Sequence, residues 1–143
     1  MYIIQQKLKY LHLTGRINET KNYIQHGDVS VYTHCINVAY MSVKIARVLH
    51  LNVNMDTLIT GALLHDYFLY DWHDGNKEHR LHGFTHPKRA LNNAMEDYNL
   101  SPKAKNIIVR HMFPLTIIPP TCTEAWIVCL ADKICAIKET IKR

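Results

Sequence analysis

The sequence has no long hydrophobic run and no pair of closely spaced cysteines. No apolar stretch reaches the ~18 residues of a membrane-spanning helix, so we expect no transmembrane segment. The first residues lack the basic, apolar and small-residue order of a signal peptide, which favours a cytoplasmic location. The cysteines form no C-x-x-C pair, so we do not expect a zinc–thiolate site; they are Cys35, Cys122, Cys129 and Cys135.

Other absences narrow the class of function. The sequence contains no Gly-rich loop of the P-loop type, so a kinase or NTPase of that kind is not expected. The formal net charge is +5, but the basic residues are scattered and do not form a face with interleaved aromatics. We therefore expect no nucleic-acid partner, and the scattered charge suits either a solvated surface or a small anionic substrate. The oligomeric state is left open.

The apolar residues recur at helical spacing, and no run alternates with a period of two. We therefore predict an all-α helical bundle forming one domain over residues 1–143, with a core at about 28–139 and N-terminal helices within 2–25 packing on it. Asp28 or Ser30 is expected to cap the helix that ends near His50, and Asp56 is expected to cap the helix that begins at about Thr57. The other predicted helices span about 2–13, 17–25, 57–69, 87–98, 102–111 and 123–138.

The chemistry centres on His65 and Asp66, which stand side by side at the end of the apolar run 62–64. A buried imidazole and a buried carboxylate are costly unless each is paired or ligates a metal. His34, His111 and Asp132 fall on the apolar faces of their predicted helices.

His86 precedes Pro87, which fits the first position of a helix. The sequence thus offers six candidate ligands whose side chains point inward or lie at an inner helix end. Each also has a structural explanation. A histidine on an apolar face can be a hydrogen-bonded core residue, and Asp132 could form a salt bridge with Lys133 or Arg110. Imidazole and carboxylate together suit divalent ions such as iron, manganese and zinc.

The order His…His-Asp…His…His…Asp resembles the HD superfamily of metal-dependent phosphohydrolases, over about residues 28–139. The resemblance implies a first metal held by His34, His65, Asp66 and Asp132. His86 and His111 would join a bridging Asp66 around a second metal, as in the binuclear branch that includes HD-GYP-type phosphodiesterases and HD-type diadenosine tetraphosphate hydrolases. Two divalent ions are expected, Fe or Mn first, with Zn, Mg, Co or Ni possible.

The sequence departs from many relatives after the His-Asp pair. Leu69 stands where they carry a lysine that can reach phosphate, and the Gly-Tyr-Pro signature is absent, which argues against cyclic di-GMP as substrate. Lys133 is the first choice for binding phosphate and for a catalytic role beside Asp66, followed by Arg110 and Lys88.

Several other histidines are candidates with weaker support. Residues 70–84 are predicted to form a functional loop, in which His82 could bind substrate or support a ligand, and His73 and His79 could contact substrate or face water. His26 could lie near the site or serve as a turn residue.

The resemblance favours a phosphomonoesterase or phosphodiesterase that acts on a nucleotide or other phosphoester through a metal-activated hydroxide. Two alternatives use the same ligands. One is a mixed-valence di-iron oxygenase of the HD fold, such as myo-inositol oxygenase. The other is a non-catalytic regulatory module that keeps the metal for stability.

Overall fold

The computed structural model describes residues 2–26, 28–67 and 82–141, without the side chains of 25, 26 and 82–86. The regular structure in these ranges is helical apart from one short antiparallel hairpin, so the predicted all-α fold is confirmed. The elements in chain order are α1 (Tyr2–Thr14), a 3₁₀ helix (Ile17–Asn22), β1 (Ile24–His26), β2 (Val29–Ser30), α2 (Val31–Val48), α3 (Met55–Leu64), α4 (His82–Asp97), α5 (Pro102–Arg110) and α6 (Thr123–Ile141).

One hydrophobic core joins the N-terminal helix to the rest of the bundle. Helix α2 lies at its centre and packs against both α3 and α6, while α5 packs against α3 and α6. Fully buried members of this core include Ile4, Val38, Leu58, Ile107 and Val128. The arrangement brings the ends of α3 and α5 and the middle of α6 towards the first half of α2. The predicted limits of the domain and of its core stay a prediction.

Two helices begin where serine capping predicts. The Ser30 hydroxyl accepts a hydrogen bond from the Thr33 N–H at the start of α2. The Ser101 hydroxyl accepts from the Ala104 N–H, and Pro102 is the first residue of α5. Both caps satisfy a backbone donor that the helix itself leaves unpaired.

Two predicted helices before the His-Asp pair differ from the structure. The segment predicted as a helix over 17–25 is a 3₁₀ helix followed by strand β1, which pairs with β2. Helix α3 is capped by Asn54, whose side chain accepts from the Thr57 N–H, and not by Asp56. Asp56 lies in the first turn and pairs with Lys7. The helix ends at Leu64, so the His-Asp pair lies in the turn that follows.

Helix α4 begins at His82 rather than next to Pro87. The predicted N-cap position of His86 and the loop assignment of 82–84 are therefore wrong. A proline fixes φ near a helical value, so it can stand inside the early part of a helix at the loss of one backbone hydrogen bond. Val48 lies on the same apolar period as His34 but is 64% exposed, because the chain from Arg47 to His50 faces solvent.

No helix in the described ranges is long and apolar enough to span a bilayer. The cytoplasmic location stays a prediction. The predicted loop over 70–81, with His73 and His79, and the Leu69 position lie outside the described residues.

Candidate metal centre

Four predicted ligands meet at one buried point. His34 comes from α2, His65 and Asp66 from the turn after α3, and Asp132 from α6. One ligand atom from each lies within 4.8 Å of the others. His34, His65 and Asp66 are fully buried, and Asp132 is 7% exposed. Such a concentration of polar groups is stable only if they are paired or bind an ion.

The distances show which atoms face the centre of the cluster. His34 Nε2 lies 2.8 Å from Asp132 Oδ1 and 3.4 Å from Asp66 Oδ2. His65 Nε2 lies 3.2 Å from Asp132 Oδ1 and 3.3 Å from Asp66 Oδ2. The two imidazoles therefore present the same nitrogen to the same pair of carboxylate oxygens.

His111 extends the cluster by contacting the other carboxylate oxygen of Asp66. It follows the last residue of α5, is fully buried, and places Nε2 3.1 Å from Asp66 Oδ1. Its ring lies edge-on to that of His65, with 4.7 Å between centroids. The Asp66 carboxylate thus has histidine nitrogens at both oxygens, which is the arrangement that a bridging carboxylate requires.

The opposite ring nitrogens fix the tautomers of these histidines. His65 Nδ1 donates to the Ala62 carbonyl at 2.6 Å, and His111 Nδ1 donates to the Ile108 carbonyl at 2.8 Å. His34 Nδ1 lies 2.7 Å from Glu139 Oε1. Carbonyl and carboxylate oxygens only accept, so each Nδ1 carries a hydrogen, and the neutral form of each ring would present its lone pair to a metal at Nε2.

The electrostatics of the cluster favour positive charge between the imidazoles and the carboxylates. Burial disfavours the protonated form of His34, but hydrogen bonds with Asp132 and Glu139 outweigh it and raise its pKa to about 10. The pKa of His65 is likewise raised despite its burial, mainly by the charge of Asp66. Burial opposes ionisation of Asp132, yet its bonds with His34 and His65 hold its pKa far below the usual range. These shifts show that the imidazoles and carboxylates need positive charge between them. Protons at Nε2 supply it, and a divalent cation held by the same nitrogens and oxygens would supply it in their place; nitrogen–oxygen sets of this kind suit iron, manganese or zinc.

Glu139 is part of the candidate site but was not among the residues predicted from the sequence. Its Oε1 holds His34 Nδ1, and its Oε2 accepts a hydrogen bond from Asn37 at 3.2 Å. The residue is 8% exposed. It lies seven positions after Asp132, two turns along the same face of α6, so helical spacing carried a signal for it.

Tyr67 anchors the turn that carries the pair. Its hydroxyl donates to Asp97 Oδ2 at 2.5 Å and accepts from the Arg16 N–H at 2.7 Å. Its carbonyl accepts from the Asn93 side chain at 3.1 Å. Because Tyr67 follows Asp66 directly and is 1% exposed, these bonds limit the movement of the ligand beside it.

The predicted phosphate-binding cations occupy different environments. Lys133 Nζ lies 3.3 Å from the His111 carbonyl and 3.2 Å from Cys129 Sγ. Arg110 precedes His111, and its buried Nε has no hydrogen-bond partner among the described residues. Lys88 is exposed on α4.

Three predicted histidines have backbone positions only. His82 and His86 lie on α4 and His26 lies on β1, but their side chains are outside the described part of the structure.

The family comparison agrees with the geometry. The family model for the HD domain matches residues 31–137, three quarters of the chain and all five residues that the structure gathers. No curated protein and no solved structure matches the chain. The match confirms the family indicated by the order of the histidines and aspartates: this chain belongs to the HD domain family.

Proposed function

We propose that the protein is a metal-dependent phosphohydrolase that acts on a nucleotide or another small phosphoester. The observation that carries the proposal is the convergence of histidine Nε2 atoms on two aspartates inside the bundle. The HD domain is found in metal-dependent phosphohydrolases, and hydrolysis is the commoner chemistry of that fold. This last argument is one of analogy.

His34, His65, Asp66 and Asp132 would hold one cation. Asp66, through its other oxygen, would hold a second cation together with His111 and His86. Divalent cations bound in this way lower the pKa of coordinated water and neutralise charge on a phosphoryl group. The protein supplies ordered ligands whose orientation is fixed from behind by the Ala62 and Ile108 carbonyls and by Glu139.

Arg110 is the best-supported phosphate ligand of the chain. Its neighbour His111 touches Asp66, and a buried guanidinium N–H without a partner is costly unless a ligand accepts from it. Guanidinium groups also match phosphate geometry. Lys133 is the second candidate for binding phosphate. Its ammonium group already donates to the His111 carbonyl and would have to leave that acceptor to bind a substrate. Lys88 and His82 stay as further candidates.

The proposal is tested by measuring hydrolysis of nitrophenyl phosphate, bis(nitrophenyl) phosphate and a panel of nucleotides. Each assay is run with Mn²⁺, Fe²⁺, Zn²⁺ or Mg²⁺ supplied. We expect phosphate or alcohol release that needs a metal and falls to background in Asp66→Asn. The matched control Asp56→Asn removes an exposed carboxylate far from the cluster and should keep the wild-type rate.

Two outcomes would overturn the proposal. One is full hydrolytic activity in Asp66→Asn, which would separate the reaction from the cluster. The other is turnover that consumes oxygen and depends on reduced iron, with no hydrolysis under any metal, which would favour the oxygenase.

The role of Arg110 is tested separately with Arg110→Gln. Loss of one charge-assisted hydrogen bond to phosphate is worth about 1.5–3 kcal/mol, so kcat/KM should fall about 10–100-fold, mostly through KM. Lys105→Gln removes a positive charge elsewhere on α5 and is the control. An unchanged KM in Arg110→Gln would contradict the assignment.

A further inference from the structure

A cavity lies on the Glu139 side of His34, away from the Nε2 atom that faces the cluster. It has a volume of about 690 Å³ and is bounded by α2, by the C-terminal half of α6 and by the turn of the β-hairpin. Its walls include Tyr40, Met41, Val48 and Cys135. None of the five clustered side chains lines it. The size and the apolar walls are those of sites that bind small organic molecules.

Three cations line this cavity, Lys44, Arg47 and Lys138. All three are exposed, and none forms an ion pair with a residue that the structure describes. Other cations of the chain do have such partners. Lys7 pairs with Asp56, and Arg16 pairs with Asp97. Uncompensated positive charge beside an apolar wall is complementary to a molecule with an anionic end and an apolar body.

Two acidic residues also line the cavity and limit where an anionic group could sit. Glu139 already accepts hydrogen bonds from His34 and Asn37, so its charge is largely compensated. Asp28 lines the cavity from the hairpin turn, on a different element from the cations of α2 and α6. The anionic end of a ligand is therefore expected beside Lys44, Arg47 and Lys138, with its apolar body towards Met41 and Cys135.

We propose that this cavity binds an amphipathic anion, a molecule with an apolar body and one carboxylate, phosphate or sulfonate group. The site is distinct from the proposed substrate site and does not depend on the phosphohydrolase assignment. Its ligand would contact Glu139, the side chain that orients His34, so the two sites share one residue.

The experiment titrates the purified protein with decane-1-sulfonate by calorimetry. This probe has an apolar tail and a single anionic group that binds divalent cations weakly. We expect saturable binding of one molecule per chain. Decyltrimethylammonium, with the same tail and the opposite charge, should bind much more weakly, and decanoate and decyl phosphate then distinguish between the natural head groups.

Charge variants assign the binding to the cavity. In Lys44→Ala/Arg47→Ala the affinity should fall about tenfold, since two partly exposed ionic contacts are lost. The control Lys9→Ala/Lys105→Ala removes the same charge from α1 and α5 and should bind like wild type. Val48→Asp, an exposed position on the wall, should also weaken binding without loss of fold by circular dichroism.

Three results would overturn the proposal. The first is the absence of saturable decane-1-sulfonate binding to the wild-type protein. The second is equal binding of the cationic analogue, which would show a merely apolar groove. The third is wild-type affinity in both Lys44→Ala/Arg47→Ala and Val48→Asp, which would place the binding elsewhere on the molecule.

Discussion

At the residue scale, the candidate metal centre depends on the hydrogen bond that each histidine makes through Nδ1, the ring nitrogen on the side away from the cluster. His65 and His111 each donate from Nδ1 to the backbone carbonyl three residues earlier, an acceptor that any helix end can supply. His34 instead uses a carboxylate from another helix, Glu139. A carboxylate behind an imidazole fixes its orientation and increases the basicity of the nitrogen that faces the metal.

Glu139→Gln should therefore weaken metal binding. Loss of such a supporting carboxylate costs about 10–100-fold in metal affinity, because a neutral amide holds His34 Nδ1–H less strongly. The measurement is a Mn²⁺ or Zn²⁺ titration, with the melting temperature recorded in chelator to separate affinity from stability. Glu19→Gln, an exposed position on the 3₁₀ helix, is the control. A metal affinity within about twofold of wild type would show that Glu139 does not contribute to metal binding.

Asp97 predicts a pH-dependent stability. Burial alone would raise its pKa, but hydrogen bonds from Arg16 and Tyr67 outweigh it and lower the pKa below the ordinary value of 3.8. A carboxylate with a depressed folded-state pKa stabilises the protein above its unfolded pKa, and this contribution is lost as the pH falls through the folded value.

Asp97→Asn should cost about 1–3 kcal/mol at pH 7, as expected for hydrogen bonds to a charged group. The difference from wild type should shrink as the pH falls below about 4. Urea unfolding at pH 7 and pH 3 measures it, with Asp56→Asn as an exposed control. A stability difference between the two proteins that stays constant from pH 7 to pH 3 would contradict a stabilising role for the charge of Asp97.

The sequence predicts which residues meet but not all that supports them. His34, His111 and Asp132 could be placed on inner helix faces because each falls on an apolar period. Glu139 falls on the same period as Asp132, yet a glutamate near a helix C-terminus is ordinarily solvated. Only the crossing of α2 and α6 shows that it reaches His34.

At the element scale, helix ends were predictable where a second signal supported the cap. Pro102 fits the first helical position and so favours Ser101 over Asn99 as the cap, and α5 begins there. Before α3 both Asn54 and Asp56 are good caps, and spacing cannot choose between them. The hairpin was missed because strands of three and two residues are too short to show alternation.

The crossing of α3 and α5 depends on Gly61. A Cβ there would lie 2.5 Å from Ile107 Cδ1 and 2.7 Å from its Cγ2. In an exposed helix, Gly→Ala stabilises by about 1 kcal/mol. Here overpacking against Ile107 should cost about 1–3 kcal/mol, so the net effect of Gly61→Ala on the free energy of unfolding should be a loss of stability.

Chemical denaturation of Gly61→Ala should therefore show a loss of stability. In an Ile107→Ala background the same change should cost less or become favourable, because the side chain in the way is gone. Stabilisation by Gly61→Ala in the wild-type background would show that the two helices can separate without cost.

At the scale of the whole molecule, the candidate metal ligands come from α2, the turn after α3, the end of α5 and the middle of α6. A bound cation would join the elements that form the core, so binding should stabilise the entire bundle. At a metal concentration 100 times the Kd, the gain is about 2.7 kcal/mol. Thermal unfolding with Mn²⁺ or with chelator measures it. The gain should vanish in Asp66→Asn and persist in Asp56→Asn, and an equal rise in all three proteins would indicate non-specific binding.

The most direct test of the account is the number of metal ions bound per chain at saturation, measured by titration and elemental analysis of wild type and Asp66→Asn. Two ions are predicted for the wild type, because Asp66 presents each of its oxygens to a different set of histidines and can bridge a metal pair. Asp66→Asn should lose both. A single ion in the wild type would remove His111 from metal binding, and saturable wild-type binding in Asp66→Asn would contradict the central claim that these residues form the metal centre.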